Sequence, residues 1–149
     1  MTGKRVQFGS GSNQIEGWTN HEIEVDVRKP LPYADGAVIE CLIEHCLEHV
    51  TTPEMFRFLC EAHRILIPGG KLWIAMPILD RLDPDAARDI ILGHGHLAAY
   101  TADSLRHILE LSPFETVIYL TERPAIFGHW RVIGEEKDAL ESFRAVLHK

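Results

Sequence analysis

The sequence predicts an α/β fold, a single three-layer sandwich whose sheet is mostly parallel and carries an antiparallel element near the C-terminus. Two mostly apolar segments, 37–43 and 71–77, are typical of central strands, which are covered on both faces in a parallel sheet. A helical pattern and a tight glycine turn lie between them, and this order indicates a crossover between parallel strands. The segment 114–121, near the C-terminus, alternates as a further strand would.

Length and composition limit the class of protein. The chain has 149 residues, which predicts one domain spanning 1–149. Its net charge of −7 argues against nucleic acid as a partner, because binding a phosphate backbone needs a clustered basic surface. No apolar run approaches the ~20 residues that span a bilayer, so we expect no membrane association. Cys41, Cys46 and Cys60 lie in apolar stretches without Cys-x-x-Cys spacing, which predicts buried, reduced thiols and a cytoplasmic location.

A glycine turn organises the N-terminal part of the chain. Val6 and Phe8 alternate with polar residues as in a short strand, and Gly9-Ser10-Gly11 follows directly. Glycine has no Cβ, so the backbone of such a turn can approach a ligand closely. In open α/β sheets ligands bind at the carboxyl ends of the strands, and we therefore expect a ligand site at this turn.

The next two elements are a strand region and a helix. In segment 19–27, Ile23, Val25 and Val27 alternate with acidic residues, which predicts a half-buried strand or two short strands. After a proline-containing loop and the strand 37–43, Thr52 and Pro53 indicate the start of a helix. Its apolar residues recur at helical spacing and Pro68-Gly69-Gly70 ends it; the buried face comprises Met55, Phe58, Leu59, Ala62, Ile65 and Leu66.

The C-terminal half predicts three helices and two strands. A short helix over 86–92 opens at Asp83-Pro84, and Thr101 caps a second one. The strand 114–121 is followed by a weaker strand candidate at 129–133. The segment 136–148 is amphipathic, with Leu140, Phe143 and Leu147 at helical spacing. We expect this final helix to pack on the sheet or, alternatively, against a second copy of the chain in a homodimer.

The glycine turn does not fit a nicotinamide-binding site. Such a site needs a third glycine, where this sequence has Gln14, and a full helix before its acidic residue. The acid Glu22 lies only 11 positions past Gly11, which leaves no room for that helix. A glycine turn with a nearby carboxylate suits instead an adenosine-type ligand without a pyrophosphate.

Four segments together carry a resemblance to a known family: "VQFGSGSN", "GWTNHEIEVDVRKPLPYADG", "IEHCLEHV" and "EAHRILIPGGKLWIAMP". In this order they resemble the class I S-adenosylmethionine-dependent methyltransferases, most closely the compact subgroup in which the first helix is reduced to a loop. The resemblance covers roughly residues 4–121. It implies a Rossmann-like methyltransferase fold, S-adenosylmethionine as cofactor and a small-molecule methyl acceptor.

The resemblance also implies roles for individual residues. Gly9, Ser10 and Gly11 match the turn against the methionine and adenosine parts of the cofactor. Glu22 matches the acid that holds the ribose diol, and Asp26 with Val27 matches the segment beside adenine. Glu44 and His45, just past the strand 37–43, match residues that face cofactor and acceptor.

Three features of the sequence depart from the family. Gln7 stands where the family has an acid, and Ser12 or Asn13 replaces the third glycine; the helix that precedes the first strand in the family has no counterpart. These departures favour an alternative, a catalytically silent methyltransferase-like module that acts as a partner subunit. An intact Glu22, with Glu44 and His45, favours the enzyme.

Histidines are the candidate catalytic bases. Methyl transfer from a sulfonium needs mainly alignment, and a base helps when the acceptor is a hydroxyl or a protonated amine. His45 and His49 are the tentative catalytic residues, with His94 and His96 in a glycine-rich loop as further candidates.

The segment 45–49 also matches His-x-x-Glu-His, an inverted zinc-protease signature in which two histidines share a helical face. A zinc protease would need a third ligand with its own supporting helix, and the methyltransferase resemblance already accounts for the flanking segments. We therefore predict no metal site.

Overall fold

The computed structural model describes residues 3–149 and contains a mixed six-stranded sheet. The strands follow the spatial order β2-β1-β3-β4-β6-β5, and β1 to β4 run parallel to one another. β6 lies between β4 and β5 and is antiparallel to both. The predicted α/β class, with a mostly parallel sheet and an antiparallel C-terminal element, is confirmed. The strands are β1 (Lys4–Phe8), β2 (Thr19–His21), β3 (Val38–Glu44), β4 (Leu66–Pro77), β5 (Thr116–Tyr119) and β6 (Ser142–His148).

Within residues 3–149, five α-helices lie in the connections that follow β3, β4 and β5, together with a 3-10 turn at Leu47–His49. Thr51, one residue before the predicted cap, begins the first helix in a capping box with Glu54. Asp83 and Thr101 cap the next two helices. No helix within residues 3–149 has the length and apolar character needed to cross a bilayer. The helices are α1 (Thr52–Ile65), α2 (Pro84–Leu92), α3 (Ala102–Leu111), α4 (Trp130–Ile133) and α5 (Glu135–Glu141).

The two faces of the sheet are covered differently. On one face, α1 and α3 pack against alternate residues of the central strands and form the main core. On the other face a smaller cluster joins Leu42 and Ala75 to Phe127 and to side chains of the loop that follows β1. Within the described chain no helix lies between Phe8 and Thr19, as expected for the compact subgroup. The side chains that cover this second face therefore come from loop segments.

The predicted strand over 19–27 is only partly correct. The observed strand is Thr19–His21, which pairs with Val6–Phe8 and ends before the alternating residues begin. Ile23 is 95% exposed. Asp26 instead closes a turn, because its side chain accepts the backbone N–H of Arg28 at 3.0 Å. This turn chemistry overrides the alternating pattern.

The two C-terminal elements were predicted wrongly. Segment 129–133 contains the helix α4 instead of a strand, and the predicted helix 136–148 divides into α5 and the strand β6. Phe143 and Leu147 belong to β6, where they point with Ala145 into the main core. Their spacing is compatible with both a helix and a strand, and pairing with β4 and β5 decides between them. Phe143 and Leu147, two of the three apolar residues on which the homodimer hypothesis rested, are therefore used inside the sheet, whereas Leu140 is 42% exposed on α5.

The structure also corrects two smaller predictions, the end of the first helix and the burial of one cysteine. Leu66 begins β4 and does not belong to the helix, which ends at Ile65; Gly69 follows with a φ of 77°. Of the cysteines, Cys41 is buried and Cys46 is half-buried, but Cys60 is exposed on α1. The prediction of three buried thiols was therefore wrong for Cys60, which lies on the solvent side of the amphipathic helix.

Candidate functional site

The glycine turn joins the carboxyl ends of three strands. The backbone N–H of Ser10 donates to the carbonyl of His21 at the end of β2, at 2.9 Å. A Cβ on Gly9 would lie 2.9 Å from Sγ of Cys46, which follows β3, and Gly9 has a φ of 65°. Gly11 also has a positive φ, 50°, but a Cβ there would meet nothing within 4 Å. The turn is therefore packed at Gly9 and open at Gly11.

Unpartnered polar atoms occur at this end of the sheet. Oε1 of Gln7, Oγ of Ser10 and Oε2 of Glu44 are all buried and form no hydrogen bond within the protein. They belong to the end of β1, the glycine turn and the end of β3. A buried polar group without a partner costs free energy, which a bound polar ligand can offset. This end of the sheet therefore presents three buried polar atoms that a polar ligand could bind.

Three residues predicted from the second strand region are placed differently from one another. Glu22 lies exposed directly after β2, and its Oε1 is 3.4 Å from Nε2 of Gln14 in the glycine loop. The Asp26 carboxylate binds the Arg28 guanidinium at 2.8 and 3.0 Å, which lowers the pKa of Asp26 to about 2. Val27 packs into the main core. The structure thus brings Glu22 to the glycine loop, whereas the side chains of Asp26 and Val27 are engaged elsewhere.

Glu44 connects the glycine loop to the segment before α4. Its Oε1 accepts the backbone N–H groups of Gly128 and His129, at 2.9 and 2.8 Å, and lies 3.4 Å from Nδ2 of Asn13. Burial raises the pKa of Glu44, although the two backbone N–H groups act in the opposite direction. One carboxylate therefore holds two loops at the end of β3.

His45 is held in a constrained position beside Glu44. Its φ is 48°, in a region that few residues other than glycine adopt. The ring stacks on His129 with 4.1 Å between the centroids, and Nε2 lies 2.8 Å from Oγ of Ser142. Burial holds the pKa of His45 well below its usual value, so the imidazole is neutral.

The buried carboxylate of Asp138 binds the serine hydroxyl that contacts His45. The hydroxyl of Ser142 donates to Oδ1 of Asp138 at 3.1 Å. Oδ2 of Asp138 accepts from Arg144 at 2.6 Å and from Arg123 at 3.1 Å. Sequence reasoning missed Ser142 and Asp138 because they were assigned to one continuous helix.

The four candidate histidines converge on one cavity of about 230 Å³. His129, which sequence reasoning placed on a strand and did not consider as a base, lines it as well. Burial raises the pKa of Glu48, also in the lining, to about 7. His49 ends a 3-10 turn of three residues, so His45 and His49 do not share an α-helical face as the zinc-protease signature requires. The lining histidines are His45, His49, His94, His96 and His129.

Comparison with family models finds a similarity within the first half of the chain. Residues 9–74 match the family model described as a methyltransferase domain. This range includes the glycine turn, Glu22, Glu44, His45 and His49. No curated protein sequence matches the chain.

Solved structures resemble the whole fold at low sequence identity. An S-adenosylmethionine-dependent methyltransferase from Archaeoglobus fulgidus is 14% identical with a TM-score of 0.67, covering 99% of this chain and 87% of that one. A chain in the complex of the Haloferax volcanii methyltransferase activator Trm112 with a methyltransferase is 12% identical, with a TM-score of 0.66 and coverages of 99% and 84%. A Methanosarcina mazei S-adenosylmethionine-dependent methyltransferase is 12% identical, with a TM-score of 0.64 and coverages of 98% and 92%.

Proposed function

We propose that this chain, which has the fold of the class I S-adenosylmethionine-dependent methyltransferases, binds that cofactor and methylates a small molecule. The observation that carries the proposal is the turn Gly9–Gly11, where the ends of β1, β2 and β3 meet. It lies inside the segment that matches a methyltransferase domain. Open space at Gly11 and the unpartnered atoms of Gln7, Ser10 and Glu44 fit a ligand with several polar groups.

Each part of the cofactor has a counterpart among these residues. We assign Gly9, Ser10 and Gly11 to the methionine and adenosine parts, because the turn is open at Gly11 and Ser10 Oγ has no partner. Glu22 is exposed next to the glycine loop, and as a carboxylate it can accept hydrogen bonds from both ribose hydroxyls.

The remaining contacts follow from the family pattern. Asp26 and Val27 are assigned to the adenine side by that pattern alone, since the carboxylate binds Arg28 and the valine packs in the core. Glu44 and His45 are assigned to the side that faces the acceptor.

The histidine cavity is the proposed acceptor site. When bound, the cofactor supplies an activated methyl group, so the protein must align the acceptor and remove its proton where needed. His45 is neutral and donates Nε2–H to Ser142, which leaves Nδ1 as a proton acceptor. His49 is 42% exposed and lines the same cavity. We propose that His45 and His49 serve as the bases for a hydroxyl or amine acceptor.

Thermal unfolding with S-adenosylhomocysteine, the demethylated product, tests the proposal. A ligand at about 100 times its Kd stabilises by ~2.7 kcal/mol, which raises the Tm of a domain of this size by roughly 5–10 °C. Glu22→Ala should abolish this shift. Glu122→Ala, which removes an exposed carboxylate in the loop after β5, should retain it.

The result also separates the enzyme from its alternative. An unchanged Tm at millimolar ligand would contradict cofactor binding and favour a silent module that acts through a partner protein. A shift that survives Glu22→Ala would show binding but overturn the assignment of the ribose contact.

A further inference from the structure

We propose that Glu48, His49 and His96 bind a divalent transition-metal ion, such as Zn²⁺, in the histidine cavity. One candidate ligand atom from each residue lies within 4.8 Å of the other two. Two imidazoles and one carboxylate form a ligand set that zinc uses in catalytic sites. The site stands on these three residues alone and does not depend on cofactor binding.

Hydrogen bonds already prepare both imidazoles as ligands. Nδ1 of His96 lies 2.7 Å from the carbonyl oxygen of Ile90, and Nδ1 of His49 lies 3.4 Å from that of Gly95. Because a carbonyl only accepts, each Nδ1 carries the proton and each Nε2 keeps its lone pair. Metal-binding histidines show this arrangement, in which the second ring nitrogen donates to a carbonyl or carboxylate.

Glu48 supplies an independent indication that a cation belongs here. Its side chain is 3% exposed, and Oε2 is buried without a hydrogen-bond partner. Oε1 lies 3.7 Å from Nε2 of His49 and 3.8 Å from Nδ1 of His45. A buried carboxylate needs a compensating charge. A divalent cation between Glu48 and the imidazoles of His49 and His96 would provide it.

The backbone holds the ligands close to one another. The N–H groups of Leu97 and Ala98 donate to the carbonyl of Glu48, at 2.8 and 3.3 Å. The N–H of His96 donates to the carbonyl of Gly93 at 3.2 Å. These hydrogen bonds hold the loop that carries His96 against the backbone of Glu48. The ligands therefore come from two segments whose relative position the fold fixes.

Small side-chain movements would complete the coordination. At zinc–ligand distances of ~2.0–2.1 Å, the ligands of a tetrahedral site are ~3.3 Å apart. The separation between Glu48 Oε1 and His49 Nε2 is 3.7 Å, and the half-exposed His49 can rotate to shorten it. Three protein ligands would leave the fourth position open to the cavity. With a metal bound, His49 is no longer free to accept a proton, and under the proposed function that role falls to His45.

Metal titration of the purified full-length chain tests the site. After chelation and desalting, Zn²⁺ titrated in a calorimeter should bind with a stoichiometry of one. Co²⁺ should give the visible absorption of a tetrahedral site. His96→Ala and Glu48→Gln should each lower the affinity by about tenfold or more, because they remove a ligand; even second-sphere changes cost 10- to 100-fold.

Two control variants separate the site from adventitious binding. His107→Ala removes an exposed histidine on α3, and Cys60→Ser removes the exposed thiol; both should bind as the wild type does. Circular dichroism of each metal-free variant checks that it is folded, and His49→Ala replaces any variant that is not.

Absence of stoichiometric Zn²⁺ binding, or equal affinity of His96→Ala and the wild type, would overturn the proposal. The shift with S-adenosylhomocysteine is measured on metal-free protein, so either proposal can fail without the other.

Discussion

Nε2 of His45 lies 2.8 Å from Oγ of Ser142, 97 positions further along the chain. This contact joins the end of β3 to the beginning of β6. Because the Ser142 hydroxyl donates to the Asp138 carboxylate, it accepts from His45 and selects the Nε2–H tautomer. Nδ1 of His45 then carries the lone pair, 3.8 Å from Glu48. A strand that the sequence did not predict therefore determines which nitrogen can act as a base.

Removing the hydroxyl of Ser142 should destabilise the protein. In Ser142→Ala the N–H of a buried imidazole loses its acceptor, which costs about 1–3 kcal/mol in the free energy of unfolding. Thr121→Ala, which removes an exposed hydroxyl, should change it by less than about 0.5 kcal/mol. Urea unfolding measures both variants. Equal stability of the two would show that the bond between His45 and Ser142 contributes nothing.

Gly11→Ala should separate stability from cofactor affinity. The left-handed backbone costs an alanine about 1–2 kcal/mol, yet its Cβ meets no protein atom within 4 Å. If that open space belongs to the ligand, the variant stays folded but loses the Tm shift with S-adenosylhomocysteine. Gly36→Ala is the matched control, since Gly36 has a φ of 62° and equally open surroundings away from the turn. The same ligand shift in both variants would rule out a ligand contact at Gly11.

Glu44→Gln should stabilise the metal- and cofactor-free protein increasingly as the pH rises. Because burial raises the pKa of Glu44 above 4.5, the folded state holds this proton more tightly than the unfolded chain does. The contribution of Glu44 to stability is therefore fully present below about pH 4.5 and is lost as the pH rises through the raised value.

Glutamine imitates the protonated acid and keeps the acceptor for Gly128 and His129. In thermal unfolding, the Tm of the variant minus that of the wild type should be near zero at about pH 4 and positive at about pH 7. A difference that stays constant across this range would contradict the prediction.

Leucine truncations distinguish the strand β6 from a C-terminal helix. Leu147 is fully buried in β6, so Leu147→Ala should lower the free energy of unfolding by about 2–5 kcal/mol. Leu140 lies on α5 and is 42% exposed, and Leu140→Ala should cost less than about 1 kcal/mol. An amphipathic helix over 136–148 would bury both residues and give similar losses, which denaturant titration would reveal.

Elements with strong local signals could be predicted from the sequence. The proline at position 53, the apolar spacing of α1 and a threonine cap, which lies at Thr51 one residue before its predicted position, depend on residues within one helix. The same holds for the glycine turn, because the positive φ values of Gly9 and Gly11 follow from the lack of a Cβ. The candidate cofactor residues of segment 9–27 were named from the resemblance to methyltransferases, and their roles stay predictions.

Elements whose conformation depends on distant partners were predicted poorly. The residues of β6 satisfy helical spacing as well as alternation, and only pairing with β4 and β5 selects the strand. His129 was not recognised as part of the site, because its contacts are with Glu44 and His45, more than 80 positions earlier. Contacts between residues so far apart in the chain produce no periodic pattern in a single sequence.

The sequence by itself determined the glycine turn, the central strands, the helix α1 and the resemblance to methyltransferases, since each depends on residue types at close spacing. Only the tertiary structure decided that five histidines share one cavity with Glu48, that Ser142 selects the tautomer of His45, and that His96 stands beside Glu48 and His49. The physical reason is that side-chain hydrogen bonds and metal ligation act over a few ångströms. Segments far apart in the chain come within that distance only once the sheet has assembled.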